Sequence, residues 1–150
     1  MFNIDVEYKD NILTVEEYVM FENKMWNETT PKEQVERALA HQLLSVAAIV
    51  NNEIVGIARL DGDTAINFYV NDVFVLPEYQ GNGIGSSMVE RLVGYAKDIS
   101  IPGTTIYITL FSSKGKEGFY DKLGFVQRPN MTNGAGMEMT ISVPKPTIKV

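Results

Sequence analysis

The sequence has 150 residues, 45% hydrophobic and 21% charged, and this balance predicts one folded globular domain rather than a disordered chain. A formal net charge of −6 argues against nonspecific nucleic-acid binding and mildly favours a cationic partner such as an amine. The lack of cysteine excludes disulfides, thiolate metal sites and a cysteine nucleophile, and the single histidine, His41, argues against a histidine-rich metal site and a Ser-His-Asp triad. No apolar run reaches the roughly 18 residues that span a bilayer, and no leader pattern opens the chain, so we expect a cytoplasmic protein without a membrane partner.

The first third of the chain is predicted to form one strand and two helices. Apolar and polar residues alternate over residues 2–8, which is typical of a strand. Thr14 stands three residues before a glutamate, and this capping-box spacing predicts a helix over 14–26. Pro31 fits the first position of a second helix, which we expect to end near His41.

The rest of the chain alternates between β patterns and amphipathic helices. The predicted elements, in chain order, are a hairpin over 45–60, a turn at 61–63, a strand over 65–76, a helix over 85–98, a strand over 104–111, a short helix over 116–124 and two strands at 125–129 and 137–143. This order predicts an α/β domain with a mixed sheet.

Three glycines fall within five positions between the strand over 65–76 and the next helix: Gly81, Gly83 and Gly85. A glycine loop at a helix N-terminus exposes backbone N–H groups and suits an anion such as phosphate. No lysine follows Gly85, which excludes a P-loop, and the spacing differs from the dinucleotide fingerprint. A glycine-rich turn without a ligand stays open as the alternative.

The stretch Gln80-x-x-Gly83-x-Gly85 resembles the acetyl-CoA motif of the GNAT superfamily of N-acyltransferases. A second stretch, GFYDKLGF at 118–125, resembles the later helix motif of the same family, and the order of elements agrees over essentially the full length. The resemblance implies a single N-acetyltransferase domain over 1–150. It also implies a GNAT-type α/β fold with a mixed, mostly antiparallel central sheet, splayed at strand 4 and flanked by about four helices.

The resemblance also implies acetyl-CoA as the acyl donor and no metal. The pantetheine arm is expected to pair with the backbone of the splayed strand, and the pyrophosphate to sit on the loop amides. Ser113 stands where many members carry an asparagine, so its contact with pantetheine has a shorter reach. The implied donor-binding residues are Val73, Phe74, Val75, Gln80, Gly81, Asn82, Gly83, Ile84, Gly85, Ser86 and Ser113.

The implied reaction is direct attack of a primary amine on the thioester. Tyr120 occupies the position at which many members carry the acid that protonates the leaving thiolate, with a packing aromatic as the alternative. Asp72 is the candidate general base, whereas a loop-capping aspartate or a water chain would make a dedicated base unnecessary.

The acceptor, a small-molecule or peptide amine, is expected near the first two helices and the last hairpin. Trp26 either lines this pocket or packs in the core, and Arg59 either clamps an acceptor carboxylate or pairs with Asp61 or Asp63. A homodimer through 137–143 is a further expectation. A CoA-binding sensor without turnover and an ATP-binding protein are the alternative functions.

Overall fold

The computed structural model describes residues 3–147, which divide between Leu110 and Phe111 into two compact units. The elements of the first unit are β1 (Glu7–Asp10), α1 (Val15–Trp26), α2 (Lys32–His41), β2 (Leu44–Val50), β3 (Glu53–Gly62), β4 (Asn67–Val75), a 3₁₀ helix (Pro77–Tyr79), α3 (Ile84–Ile99) and β5 (Tyr107–Thr109).

The five strands form one sheet in the order β1-β2-β3-β4-β5. The pairs from β1 to β4 are antiparallel, and β5 is parallel to β4. Asn51 and Asn52 join β2 to β3 with φ values of 49° and 63°, the left-handed conformations that a two-residue hairpin turn needs. The predicted mixed, mostly antiparallel sheet is therefore confirmed.

Helix α1 begins at the predicted capping box and covers one face of the sheet. The Thr14 N–H donates to the Glu17 carboxylate at 2.8 Å, and the Glu17 N–H donates to the Thr14 hydroxyl at 3.2 Å. Phe21, which is fully buried, packs in one cluster with Ile57 of β3 and Phe74 of β4. This contact fixes α1 above the half of β4 that leads to the glycine loop.

Helix α3 covers the opposite face and buries an apolar stripe. The stripe comprises Ile84, Met88, Val89, Leu92 and Ala96. Gly56 of β3 permits this close packing, because a Cβ there would lie 2.9 Å from the Phe74 carbonyl and 3.1 Å from the Met88 methyl group. The first unit is therefore a sheet with helices on both faces.

No helix in the described range 3–147 is both long and apolar enough for a membrane span.

The turn between β3 and β4 is organised by the carboxylate of Asp63. It accepts hydrogen bonds from the N–H groups of Ala65, Ile66 and Asn67 at 2.7 to 3.0 Å. These bonds, with Ile66 contributing most, lower the pKa of Asp63 to about 2. The start of β4 is thereby set. The turn lies later than the predicted 61–63, because Asp61 and Gly62 pair with β4 and extend β3 to Gly62.

The second unit contains α4 (Glu117–Lys122), and no strand occurs in its described residues, which end at 147. Gly124, with φ of 96°, follows α4 as the predicted C-cap glycine. The prediction of two strands, at 125–129 and 137–143, was wrong. Their apolar side chains are exposed, at 77% for Val126 and 86% for Val143, and alternation alone makes no strand without a hydrogen-bonded neighbour.

Two strand boundaries also differ from prediction. β1 starts at Glu7 rather than near residue 2, because Glu7 pairs with Ile49 and β2 ends one residue later. Phe2 itself lies outside the described residues. β5 has three residues instead of the predicted eight, because it finds a partner only along Asn67–Tyr69.

Candidate active site

A β-bulge interrupts β4 at Asp72. In the ladder with β3, Arg59 pairs with Asn71 and Ile57 pairs with Phe74, so two β4 residues lie opposite Ala58. Asp72 takes the left-handed conformation, with φ of 50°, that such a bulge often uses. The bulge re-aims the strand where Val73 begins the segment expected to meet the donor.

One edge of β4 is open beyond this point. β5 pairs with Asn67–Tyr69 and then ends at Thr109, whereas β4 continues to Val75. Among residues 3–110, no strand pairs with Val70–Val75 on that side. Strand 4 is therefore splayed, as the fold prediction required. Val73, Phe74 and Val75, which were predicted to bind the donor, lie along this open edge.

The glycine loop leads from the open edge into α3. Gly83 is the N-cap of α3, with φ of 76°, and Gly81 has φ of 81°. Within the described part of the chain, none of the backbone N–H groups from Gly81 to Ser86 donates to a protein acceptor. The predicted residues Gly81, Asn82, Gly83, Ile84, Gly85 and Ser86 thus present adjacent donors at the positive end of a helix.

Two side chains hold the loop in shape. The Gln80 side-chain amide donates to the Val75 carbonyl at 2.9 Å, and the Gln80 backbone N–H donates to Pro77. The Asn82 side chain donates to the carbonyls of Tyr79 and Gln80. Both residues therefore tie the loop to the end of β4, and a direct contact of Gln80 with the donor stays a prediction.

Asp72 lies in a network of buried polar groups on the α1 face of the sheet. Its Oδ2 accepts a hydrogen bond from the Tyr18 hydroxyl at 3.0 Å and another from Arg59 Nη1 at 2.7 Å. Arg59 is 4% exposed, and its Nε donates to Gln42 Oε1 at 2.8 Å. Asp61 lies 3.7 Å from Arg59 Nη2. This geometry favours the ion-pair alternative for Arg59, and the carboxylate clamp stays a prediction.

The hydroxyl of Tyr18 is held in its protonated form. Burial raises its pKa well above the usual 10.0, and the neighbouring Asp72 carboxylate raises it further by charge and by hydrogen bonding. Tyr18 is therefore a hydrogen-bond donor throughout the neutral range.

The sequence interpretation missed Tyr18 and Gln42. Tyr18 lies three residues before Phe21 on the inward stripe of α1, which indicates burial, but its partner is 54 residues away and no local pattern reveals it.

Trp26 ends α1 and packs its ring edge-on against Phe74, with centroids 4.0 Å apart. It is also 43% exposed. The residue therefore partly covers the inner face of β4 and partly offers an open aromatic surface. The contact with Phe74 fits packing in the core, and the exposed part of the ring fits a pocket lining. The acceptor-binding role of Trp26 stays a prediction.

In the second unit, Tyr120 is half-buried in α4 and contacts Phe119 and Phe125 in edge-to-face geometry, with centroids 4.9 and 6.0 Å apart. Ser113 is exposed, and its carbonyl accepts the Lys116 N–H at 3.0 Å. The catalytic role of Tyr120 and the donor contact of Ser113 stay predictions. Within residues 3–147, no three His, Asp or Glu side chains are grouped as metal ligands.

The family profile described as an acetyltransferase (GNAT) domain matches residues 10–141. The chain belongs to the GNAT acetyltransferase family. An uncharacterised N-acetyltransferase, ycf52, from Porphyra purpurea is 32% identical over 108 residues, which are 69% of this chain and 60% of that protein. The chain thus spans about 60% of the length of this curated relative.

Solved structures share the fold. A probable acetyltransferase from meticillin-resistant Staphylococcus aureus has a TM-score of 0.78 and 26% identity, covering 91% of this chain and 100% of that one. A protein from Clostridium acetobutylicum, described as a predicted acetyltransferase with acetyl-CoA, has a TM-score of 0.67 and 20% identity, covering 91% of this chain and 96% of that one. The predicted family and fold class are therefore confirmed.

Proposed function

We propose that the chain transfers an acetyl group from acetyl-CoA to a primary amine. The observation that carries this proposal is the continuity of two features of the first unit. The open edge of β4 leads, through the single 3₁₀ turn Pro77–Tyr79, into a loop whose N–H groups, from Gly81 to Ser86, have no protein acceptor among the described residues. Acetyl-CoA joins an amide-bearing arm to a diphosphate, so its chemistry matches both features in order.

The open edge suits the pantetheine arm, because an extended chain with amide groups can add to a sheet edge as a strand does. In this proposal the backbone of Val73–Val75 pairs with the arm, and one N–H of this stretch stabilises the oxyanion at the thioester carbonyl. The amides of the loop hold the diphosphate without a dedicated lysine. The Clostridium structure supports the donor, since that protein was crystallised with acetyl-CoA.

The proposed reaction is direct attack of the amine nitrogen on the thioester carbonyl, through a tetrahedral intermediate. The C–N bond forms, the C–S bond breaks, and the thiolate takes a proton from Tyr120. A phenol with pKa near 10 can protonate a thiolate with pKa near 8.5 when the two are hydrogen-bonded. The amine loses its proton to Asp72 or to water.

An assay for free CoA thiol over a panel of primary amines tests this function. We expect acetyl-CoA-dependent thiol release with at least one amine, and a fall in kcat of about 10²-fold in Tyr120→Phe from loss of the acid. The matched control is Tyr95→Phe in α3, which leaves kcat unchanged. Binding of acetyl-CoA without thiol release from any amine would favour the sensor alternative, and stabilisation by ATP alone would reject the assignment.

Three further predictions accompany the proposal: a single domain over 1–150, a cytoplasmic location and a homodimer. Exposed apolar side chains along 137–143, including Met137, Met139 and Ile141, support pairing with a second copy. Sedimentation equilibrium measures the oligomeric state directly, and a monomer at all concentrations would remove this support.

A further inference from the structure

We propose that Tyr18 is a positioning residue for the acceptor: with Arg59 it holds one oxygen of Asp72, so that the other oxygen binds the nitrogen of a cationic primary amine. This inference rests on the proposed function and adds to it a residue and a substrate class. The preferred acceptor is an alkylamine without a carboxylate next to the nitrogen.

The two carboxylate oxygens of Asp72 have different surroundings. Both described donors, the Tyr18 hydroxyl and Arg59 Nη1, point to Oδ2. Oδ1 accepts no hydrogen bond from any residue in the range 3–147. The Asp72 side chain is 12% exposed, and Oδ1 is not among the buried side-chain oxygens that lack a hydrogen-bond partner in the described residues. Oδ1 is therefore accessible, and it can accept an N–H donor from a ligand while Oδ2 stays engaged with the protein.

The two donors to Asp72, Arg59 and Tyr18, are each held in place by further contacts. Arg59 comes from β3 and is held by Gln42, the residue after α2, while its guanidinium lies 5.7 Å from the Tyr18 ring centroid. Tyr18 comes from α1 and packs with the core cluster around Phe21. The carboxylate orientation is therefore set from three elements, and Tyr18 is the donor from the helix side.

The charged side chains around Asp72 favour a cation. Two carboxylates, Asp72 and Asp61, face one guanidinium, Arg59, which leaves one negative charge in the cluster. The Glu22 carboxylate of α1 also acts on Tyr18 and adds to the negative potential. A cation is favoured at the remaining oxygen of Asp72. A carboxylate on the acceptor would be repelled, since Arg59 is already engaged with the protein.

Asp72 lies next to the part of β4 that is assigned to the donor. Asp72 is the bulge residue, and Val73 directly after it begins the open β4 segment assigned to the donor. An amine held by Oδ1 is thereby placed beside the strand edge where the proposed thioester lies. The Tyr18 hydroxyl stays protonated at neutral pH because its pKa is raised, so it donates to Asp72 throughout and does not compete for the amine proton.

Calorimetry on the protein–CoA complex tests the inference without turnover, using 2-phenylethylamine and phenylalanine as probes that differ by one carboxylate. We expect the wild type to bind the amine at least about 10-fold more tightly than the amino acid. Tyr18→Phe should weaken amine binding by about 10-fold, because the Asp72 carboxylate loses one of the donors that orient it. Asp72→Asn should weaken amine binding more, because it removes the negative charge that binds the amine. Tyr95→Phe should bind as the wild type does. All variants should retain the wild-type affinity for CoA, which reports the intact fold.

The kinetic counterpart separates this inference from the proposed function. In Tyr18→Phe, KM for the amine should rise while KM for acetyl-CoA stays constant. Turnover by the wild type with equal amine KM in Tyr18→Phe would overturn the role of Tyr18 and leave the acetyltransferase proposal standing. Equal binding of the two probes, or parallel loss of CoA and amine affinity in both variants, would also overturn it. Amine binding through Asp72 without thiol release would support the inference and contradict the proposed function.

Discussion

Asp72 shapes the first unit through both its backbone and its side chain. Its left-handed backbone makes the bulge that re-aims β4, and its carboxylate joins β4 to α1 and β3 through Tyr18 and Arg59. A left-handed conformation is strained for a residue with a Cβ, and aspartate is among the residues that tolerate it best. The ion pair and the hydrogen bond therefore help to hold the bulge in place.

The raised pKa of Tyr18 predicts a specific alkaline instability. The folded protein keeps the phenol proton at pH values where the unfolded chain, with a pKa of 10.0, loses it. This stabilisation is complete below pH 10 and is lost as the pH rises beyond it. Urea unfolding from about pH 8 to about pH 11 should therefore show a falling free energy of unfolding in the wild type and a smaller fall in Tyr18→Phe. Tyr95→Phe should keep the wild-type slope, and parallel curves for all three proteins would contradict the burial of the Tyr18 hydroxyl.

The glycine motif predicted a helix that starts beside Gly83, and the structure has Gly83 as the N-cap of α3. The donor-binding role of Gly83 and the catalytic role of Asp72 stay predictions. The partners of Asp72 were not predictable, because the hydrogen bond from Tyr18 joins residues 54 apart and depends on how α1 packs. Sequence spacing placed Arg59 near Asp61 correctly, at 3.7 Å, but the shorter contact is with Asp72 across the bulge.

At the scale of elements, the loop and the first turn of α3 form one unit of donors. Gly83 is the N-cap and has φ of 76°, and a Cβ there would meet nothing within 4 Å. The cost of a side chain at this position is thus backbone strain alone. Gly94, inside α3, also has open space around a Cβ but has no positive φ.

Alanine variants at the N-cap and in the interior of α3 should therefore have effects of opposite sign. Gly83→Ala should lower the free energy of unfolding by about 1 kcal/mol, because alanine is strained in the left-handed conformation. Gly94→Ala should raise it by about 0.5 to 1 kcal/mol, because alanine favours the helix interior. Chemical denaturation measures both. Equal effects of the two substitutions would contradict the left-handed N-cap.

Local signals determined which elements were predictable. The capping box of α1 and the Asn51–Asn52 turn act within a few residues, and the structure has both as predicted. The length of β5 depends on how far it runs along β4, and the sequence pattern does not contain that information. The alternating segment at 137–143 has the residues of a strand but no hydrogen-bonded partner in the described chain.

At the scale of the whole molecule, the sheet opening is the feature on which the proposed function depends. The order of elements predicted a mixed sheet, and the family resemblance supplied the splay at strand 4, which periodicity alone does not predict. Two local causes produce the opening in this chain: the bulge at Asp72 and the early end of β5 at Thr109. The proposed acceptor class rests on side chains brought together from α1, β3, β4 and the residue after α2, and no local sequence pattern reveals these contacts.

The most direct test of the account is calorimetric titration of acetyl-CoA into the wild type, with Gly83→Ala and Gly94→Ala measured alongside. We expect saturable heat with the wild type and Gly94→Ala, an affinity about 10-fold weaker in Gly83→Ala because its loop amides are displaced, and no heat with ATP. The absence of heat with acetyl-CoA, or an unchanged affinity in Gly83→Ala, would contradict a donor held by the amides of this loop.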